Sequence, residues 1–205
     1  MTEDALQGLR ALATMLRADL SLDELRLVFV AVFRALATHS LPSDADVAAA
    51  ALGVFLRLVN SLAAHLSVDE VRVIANTLRV HADDARVTQL GFDALVELVG
   101  CGTASRAVQR ETVLGVVAVL GTRLGHAPTV QRGLDVLRAA DPAAVADEAA
   151  AVHTLLAALL IVHADAAHRN VNIALATCAL LVSLDAAAAL ADLPDIAVRF
   201  SASLP

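Results

Sequence analysis

The sequence predicts an all-α chain arranged as an α-solenoid of four helix pairs behind an N-terminal helix. Three observations predict it: apolar mass made almost wholly of Ala, Leu and Val, a helix-start signal written twice, and a junction histidine recurring every 37 to 45 residues. A repeat of roughly 40 residues carrying two or three helices is the sequence sign of stacked helical units.

Composition sets the class. Of 205 residues, 58% are hydrophobic but only 2% aromatic, with no Trp and no Tyr. Ala and Leu are strong helix formers, and the five prolines fall near expected segment ends. All fifteen basic residues are Arg. Without Lys or Tyr there is no Schiff-base lysine, no phosphate-loop lysine and no catalytic tyrosine. The net charge is −7, with acids and arginines interspersed. A nucleic-acid partner would call for a basic stripe with aromatics to stack on bases, and neither occurs.

The mean hydropathy of +0.70 raises the question of a membrane. A spanning helix needs roughly 18 or more nearly uncharged residues. Ala149 to Ala164 is sixteen residues long and contains His153 and His163. The opening "MTEDALQ" lacks the basic-then-apolar pattern of a secretory signal. The expectation is an intracellular, cytoplasmic chain without stable membrane insertion. Cys101 and Cys178 have no CxxC partner and lie in apolar helix contexts, which predicts free, buried thiols in a reducing compartment.

The elements follow in order. An N-terminal helix is expected over 3–17, then repeats at about 20–65, 66–102, 103–140 and 141–185, with a cap over 186–205, all in one domain. "LSLDE" at 20–24 returns as "LSVDE" at 66–70. Ser21 and Ser67 are placed as N-caps, and Glu24 and Glu70 stand three residues on to complete capping boxes. Asp23 and Asp69 add negative charge where the helix dipole favours it. First helices are predicted near 21–38, 68–80, 105–124 and 142–162, and second helices near 44–64, 84–100, 128–139 and 165–184. His39, His81, His126 and His163 mark the junctions. From Val47, Val87 and Val171, position +4 holds Ala51, Gly91 and Leu175, and position +11 holds Leu58, Leu98 and Val182, forming one apolar helical face. Gly133 matches Gly91 after a slip of about one residue.

On "HADDARVTQLGFDALVELV" and "HAPTVQRGLDVLRAA" the chain resembles the armadillo/HEAT repeat superfamily. Val87, Gly91, Ala94 and Leu95 match the armadillo run of a Val, a small residue and an Ala-Leu pair, and Val47, Ala51, Val54 and Phe55 match it more loosely. The resemblance implies a helical superhelix that binds proteins. Armadillo proteins that clamp extended peptides carry an asparagine ladder ten residues after that Val. Here those positions hold Arg57, Glu97 and Leu181, so that mode of clamping is not implied.

No catalytic constellation is formed. His163, Asp165 and His168 make an HxDxxH pattern, but the other junction histidines lack a second His nearby, so a capping or packing role accounts for all four. The pairs Asp23/Glu24, Asp69/Glu70 and Asp147/Glu148 fall at helix starts and read as caps rather than converging acid-base pairs. Gly100, Gly102, Gly121 and Gly125 break helices without forming a phosphate loop. No cofactor and no metal is expected.

The functional surface of a stacked helical array is usually a ridge repeated along one row of helices. One such row runs Gly53, Asp93, Asp135, Thr177, and a parallel one Arg57, Glu97, Ala139, Leu181. Arg57, Asp93, Glu97 and Asp135 are therefore the candidate protein-binding residues of a non-enzymatic adaptor or scaffold. Two alternatives are self-association through the terminal repeats, to which Ile196, Val198 and Phe200 point, and a compact all-α regulator at a membrane surface.

Overall fold

Several of the helices begin where a side chain takes up free backbone N–H groups. At Ser21 the capping box closes in both directions: the Ser21 N–H donates to Glu24 Oε2 at 2.8 Å, and the Glu24 N–H donates to Ser21 Oγ at 3.4 Å. Glu70 Oε2 accepts the Ser67 N–H at 2.6 Å. Asp84 Oδ1 accepts from the Arg86 and Val87 amides, Asp141 Oδ1 from Ala143, and Asn170 Oδ1 from Ile173. The repeated pentapeptide is thus a helix-start device, as its residue types predict.

A computed structural model describes residues 2–16, 20–164 and 170–184. Among them are ten α-helices and no strand: α1 Thr2–Met15, α2 Leu22–Thr38, α3 Ala45–Leu62, α4 Val68–Val80, α5 Ala85–Gly100, α6 Arg106–Gly121, α7 Ala127–Ala139, α8 Pro142–Asp147, α9 Ala149–Ala164 and α10 Val171–Ser183. Short 3-10 turns at Pro42–Asp44 and Ala63–His65 flank α3. The helix expected over 142–162 is divided, because the chain turns at Glu148 between α8 and α9. Asp165, His168, Ile196, Val198, Phe200 and the expected cap lie outside the described residues.

The helices pack along two rows. In one, α1 lies on α3, α3 on α5, α5 on α7 and α7 on α10. In the other, α2 lies on α4, α4 on α6, and α6 on α8 and α9. Hairpin partners α2 and α3, α6 and α7, and α9 and α10 join the rows. The long-range polar contacts follow the same spacing. Arg72–Glu111, Arg132–Asp93, Arg123–Asp83, Arg86–Asp46 and Arg106–Asp147 all join residues 39 to 41 positions apart.

Between the rows runs an apolar core of small and branched side chains. Its bulkiest part is at the α2–α3 end, where Phe29, Phe33 and Phe55 form a cluster with ring centroids 4.5 to 6.2 Å apart. Further along, volume gives way to close approach. A Cβ on Gly91 would lie 2.5 Å from Leu78 Cδ2, and one on Gly133 2.6 Å from both Leu120 methyl carbons. Leu78 and Leu120 are 42 residues apart, as are Gly91 and Gly133. The α4–α5 and α6–α7 hairpins are therefore built on the same leucine-over-glycine contact.

The α3 region, Pro42–His65, is the one described helix long and apolar enough to cross a membrane by length and composition. It is longer than the Ala149 to Ala164 stretch that the sequence brings forward. Ten α3 residues, including Val47, Leu52, Phe55 and Val59, are buried, and the helix packs on α1, α2 and α5.

Gly91→Ala and Gly133→Ala should each destabilise the fold by roughly 1–3 kcal/mol, the usual range for overpacking a filled core. Gly8→Ala, where a new Cβ meets nothing within 4 Å, should instead stabilise by up to about 1 kcal/mol through helix propensity. Urea unfolding of the three variants measures both signs.

Candidate functional site

The outer face of the α3–α5–α7 row carries an open groove of about 680 Å³. Leu56 and Asn60 line it from α3, Asp93, Val96 and Glu97 from α5, and Arg132 and Asp135 from α7. These side chains meet there because the inward faces are fixed elsewhere. In α3, Leu52, Phe55 and Val59 are buried; in α5, Phe92, Leu95 and Val99; in α7, Leu134 and Leu137. The residues between them must face out.

The groove gathers three of the four predicted residues, Asp93, Glu97 and Asp135. Arg57 is exposed on α3 but committed elsewhere, its Nη1 donating to the Ala13 carbonyl of α1 at 3.0 Å. Sequence reasoning missed Leu56, Asn60, Val96 and Arg132. A signal existed for two of them: Leu56 and Val96 each immediately precede a predicted residue, Arg57 and Glu97, at the same place in the register.

The predicted row fails at its far end. Thr177 and Leu181 are buried, with Thr177 Oγ1 donating to the Ile173 carbonyl at 2.7 Å. In α10, Ile173 and Ala174 take the buried positions that Val87 and Thr88 hold in α5, while Val171 is 59% exposed. The register taken from Val171 is therefore two residues early. Cys178, expected in the core, is exposed. Cys101 is half-buried, its Sγ donating to the Leu98 carbonyl.

Groove electrostatics are lopsided. Arg132 is ion-paired with Asp93 across the α5–α7 contact. Glu97 accepts only the neutral Asn60 amide, at 3.3 Å. Asp135 has Arg138 one turn away, at 3.9 Å. Three carboxylates against one guanidinium leave the lining two charges negative, beside the apolar surface of Leu56 and Val96.

On the other row the charges cancel. Glu111 receives Arg72 through Nε at 2.9 Å and Nη2 at 3.3 Å. Asp147 receives Arg106 through Nε at 2.8 Å and Nη2 at 2.7 Å, and Glu148 receives Arg110. The hydrogen bond from Arg106 holds the Asp147 carboxyl below its ordinary range. Asp147 and Glu148, expected as helix caps, instead tie the α8–α9 turn to α6.

The junction histidines have four different surroundings. His39 Nδ1 lies 3.6 Å from Asp44 Oδ2. His126 Nδ1 is 2.7 Å from Thr129 Oγ1. His163 Nε2 donates to the Leu124 carbonyl at 2.9 Å, joining the end of α9 to the α6–α7 turn. His81 is buried without a partner. Among the described residues no group of three or more His, Cys, Asp or Glu is placed to hold a metal ion.

No protein-family model matches the chain, and comparison with curated proteins and with solved structures returns no match.

The Arg132 and Asp93 side chains are 42% and 29% exposed, so solvent screens the pair. A double-mutant cycle with Arg132→Ala and Asp93→Ala should give a coupling no greater than about 1 kcal/mol, read by thermal unfolding at low and high salt.

Proposed function

We propose that this chain is a non-enzymatic adaptor, an α-solenoid of armadillo/HEAT type whose α3–α5–α7 groove receives a segment of a protein partner. Support for the solenoid comes from the two helix rows and from polar contacts that link residues about 40 positions apart. The observation that carries the function is the groove itself. It juxtaposes Asp93, Glu97 and Asp135 with Leu56 and Val96, on a face the chain leaves open. A surface of that kind complements a segment bearing Arg or Lys beside Leu or Val. The setting proposed is cytoplasmic, with no nucleic acid, no cofactor and no membrane insertion.

The partner class is tested by anisotropy with an amphipathic peptide of alternating Arg and Leu turns. Its affinity for the protein should fall at least tenfold in the Asp93→Arg/Glu97→Arg double variant. The thermal midpoint of that variant should move only a few degrees, since both side chains sit outside the core. Equal affinity for the two proteins would sink the groove reading, and so would tighter binding of a Glu-Leu peptide.

A second reading is favoured by the ends of the rows. On α10, Val171, Leu175 and Val182 are 59%, 63% and 68% exposed, and on α2, Leu27 and Val30 are 72% and 62% exposed. Contiguous apolar faces of this sort mark association surfaces. If copies of the chain associate through them, light scattering of the native protein should give a mass above the 21.2 kDa monomer. Leu175→Glu should return it to the monomer mass.

A further inference from the structure

His81 is 3% exposed, and neither ring nitrogen has a hydrogen-bond partner. Its backbone is the pivot of the α4–α5 hairpin. The His81 N–H donates to the Thr77 carbonyl at 3.0 Å, closing α4. The His81 carbonyl accepts the Asp84 N–H at 2.9 Å, leading into α5. A buried imidazole without a partner is an expensive choice for a packing role, because desolvated polar groups normally find hydrogen bonds.

The carboxylates whose charges reach the ring come from two elements, and both are already engaged. Asp84, at the start of α5, is held through Oδ1 by the Arg86 and Val87 amides and through Oδ2 by Arg86 Nη2 at 3.2 Å. Asp44, in the turn before α3, faces His39 at 3.6 Å. The remaining acid of the α4–α5 turn, Asp83, is paired with Arg123 at 2.7 Å. A charged imidazolium at this place would find no direct acceptor.

We propose that the α4–α5 joint is an acid-opened hinge: a proton on His81 has no acceptor while the joint is closed, so protonation favours an arrangement in which the ring reaches water. Burial pushes the His81 ring below its ordinary value, and the fields of Asp84 and Asp44 oppose that push without overcoming it. The open joint therefore takes up the proton first. Closure is at full strength above the usual histidine value of about 6.5 and is lost as pH falls through the lowered one. Across that window the opening equilibrium gains up to about tenfold per pH unit. The hinge does not depend on the groove reading, since it concerns closure of the joint and not occupancy of the groove.

The test compares unfolding of the native chain and His81→Leu at about pH 7.5 and pH 5. The native unfolding constant should rise up to about tenfold more per pH unit than that of the variant, which should be at least as stable at the higher pH. Parallel pH dependences overturn the proposal. Should the variant not fold, NMR of the native protein reads the same claim. The His81 Cε1–H signal should titrate below the ordinary histidine range, together with loss of amide protection from Thr77 to Val87. Titration at the ordinary value, or protection that survives it, overturns the hinge.

Discussion

Leucine laid directly over glycine is the contact on which the two central hairpins, α4–α5 and α6–α7, depend. Leu78 occupies the volume that a side chain on Gly91 would need, and Leu120 does the same over Gly133. Gly115 adds a third close approach, where a Cβ would lie 2.8 Å from Ala75 Cβ between α4 and α6. With the backbones this near, dispersion accumulates over many small contacts and large rings are not needed to fill space. An interior composed of Ala, Leu and Val follows from that geometry. The one place with several rings, Phe29, Phe33 and Phe55, is where α2 meets α3 and no glycine intervenes.

Close rows of helices also decide how polar groups are handled. Three core threonines satisfy themselves within their own helix: Thr77, Thr112 and Thr177 donate to the carbonyls of Val73, Val108 and Ile173. Longer polar side chains work across the rows. Gln109 of α6 accepts the Asp141 amide at 2.9 Å, and His163 of α9 reaches the Leu124 carbonyl. His81 departs from this pattern at both ring nitrogens, as Thr88 does at Oγ1 and His153 at Nε2. Its counterpart at the preceding junction, His39, has Asp44 nearby, whereas Asp84 beside His81 is taken up in capping α5.

Helix existence and start points were legible in the sequence because they rest on local chemistry. Ser21 with Glu24, and Ser67 with Glu70, need only neighbours within one turn, and Asp84 caps α5 as its place before the apolar run suggests. Asp93, Glu97 and Asp135 were also readable, since α5 and α7 keep a clean alternation of buried and exposed faces. What failed needed information that periodicity lacks. In α10 nearly every residue is apolar, so periodicity does not fix the inward face, and the core place expected of Val171 is filled by Ile173. The break between α8 and α9 comes at Glu148, where Asp147 and Glu148 meet Arg106 and Arg110 of another helix, a contact that periodicity does not carry. Arg57 was placed on the right face, but its bond to Ala13 depends on where α1 packs.

The two rows differ most in how completely charge is matched. On the α4–α6–α9 side, Glu111, Asp147 and Glu148 each receive a guanidinium from the neighbouring helix, so that surface presents little net field. On the α3–α5–α7 side Asp93 and Asp46 are matched that way, by Arg132 and Arg86, but Glu97 and Asp135 of the groove receive no guanidinium from a neighbouring helix. Glu97, with a neutral amide as its partner, keeps its full charge beside Leu56 and Val96. A matched ladder gains little from an incoming ion, because the ion must displace a bond already made. An unmatched carboxylate beside apolar surface gains both a charge partner and area removed from water when a basic, apolar segment arrives. That asymmetry directs the proposed adaptor function to the groove on one row.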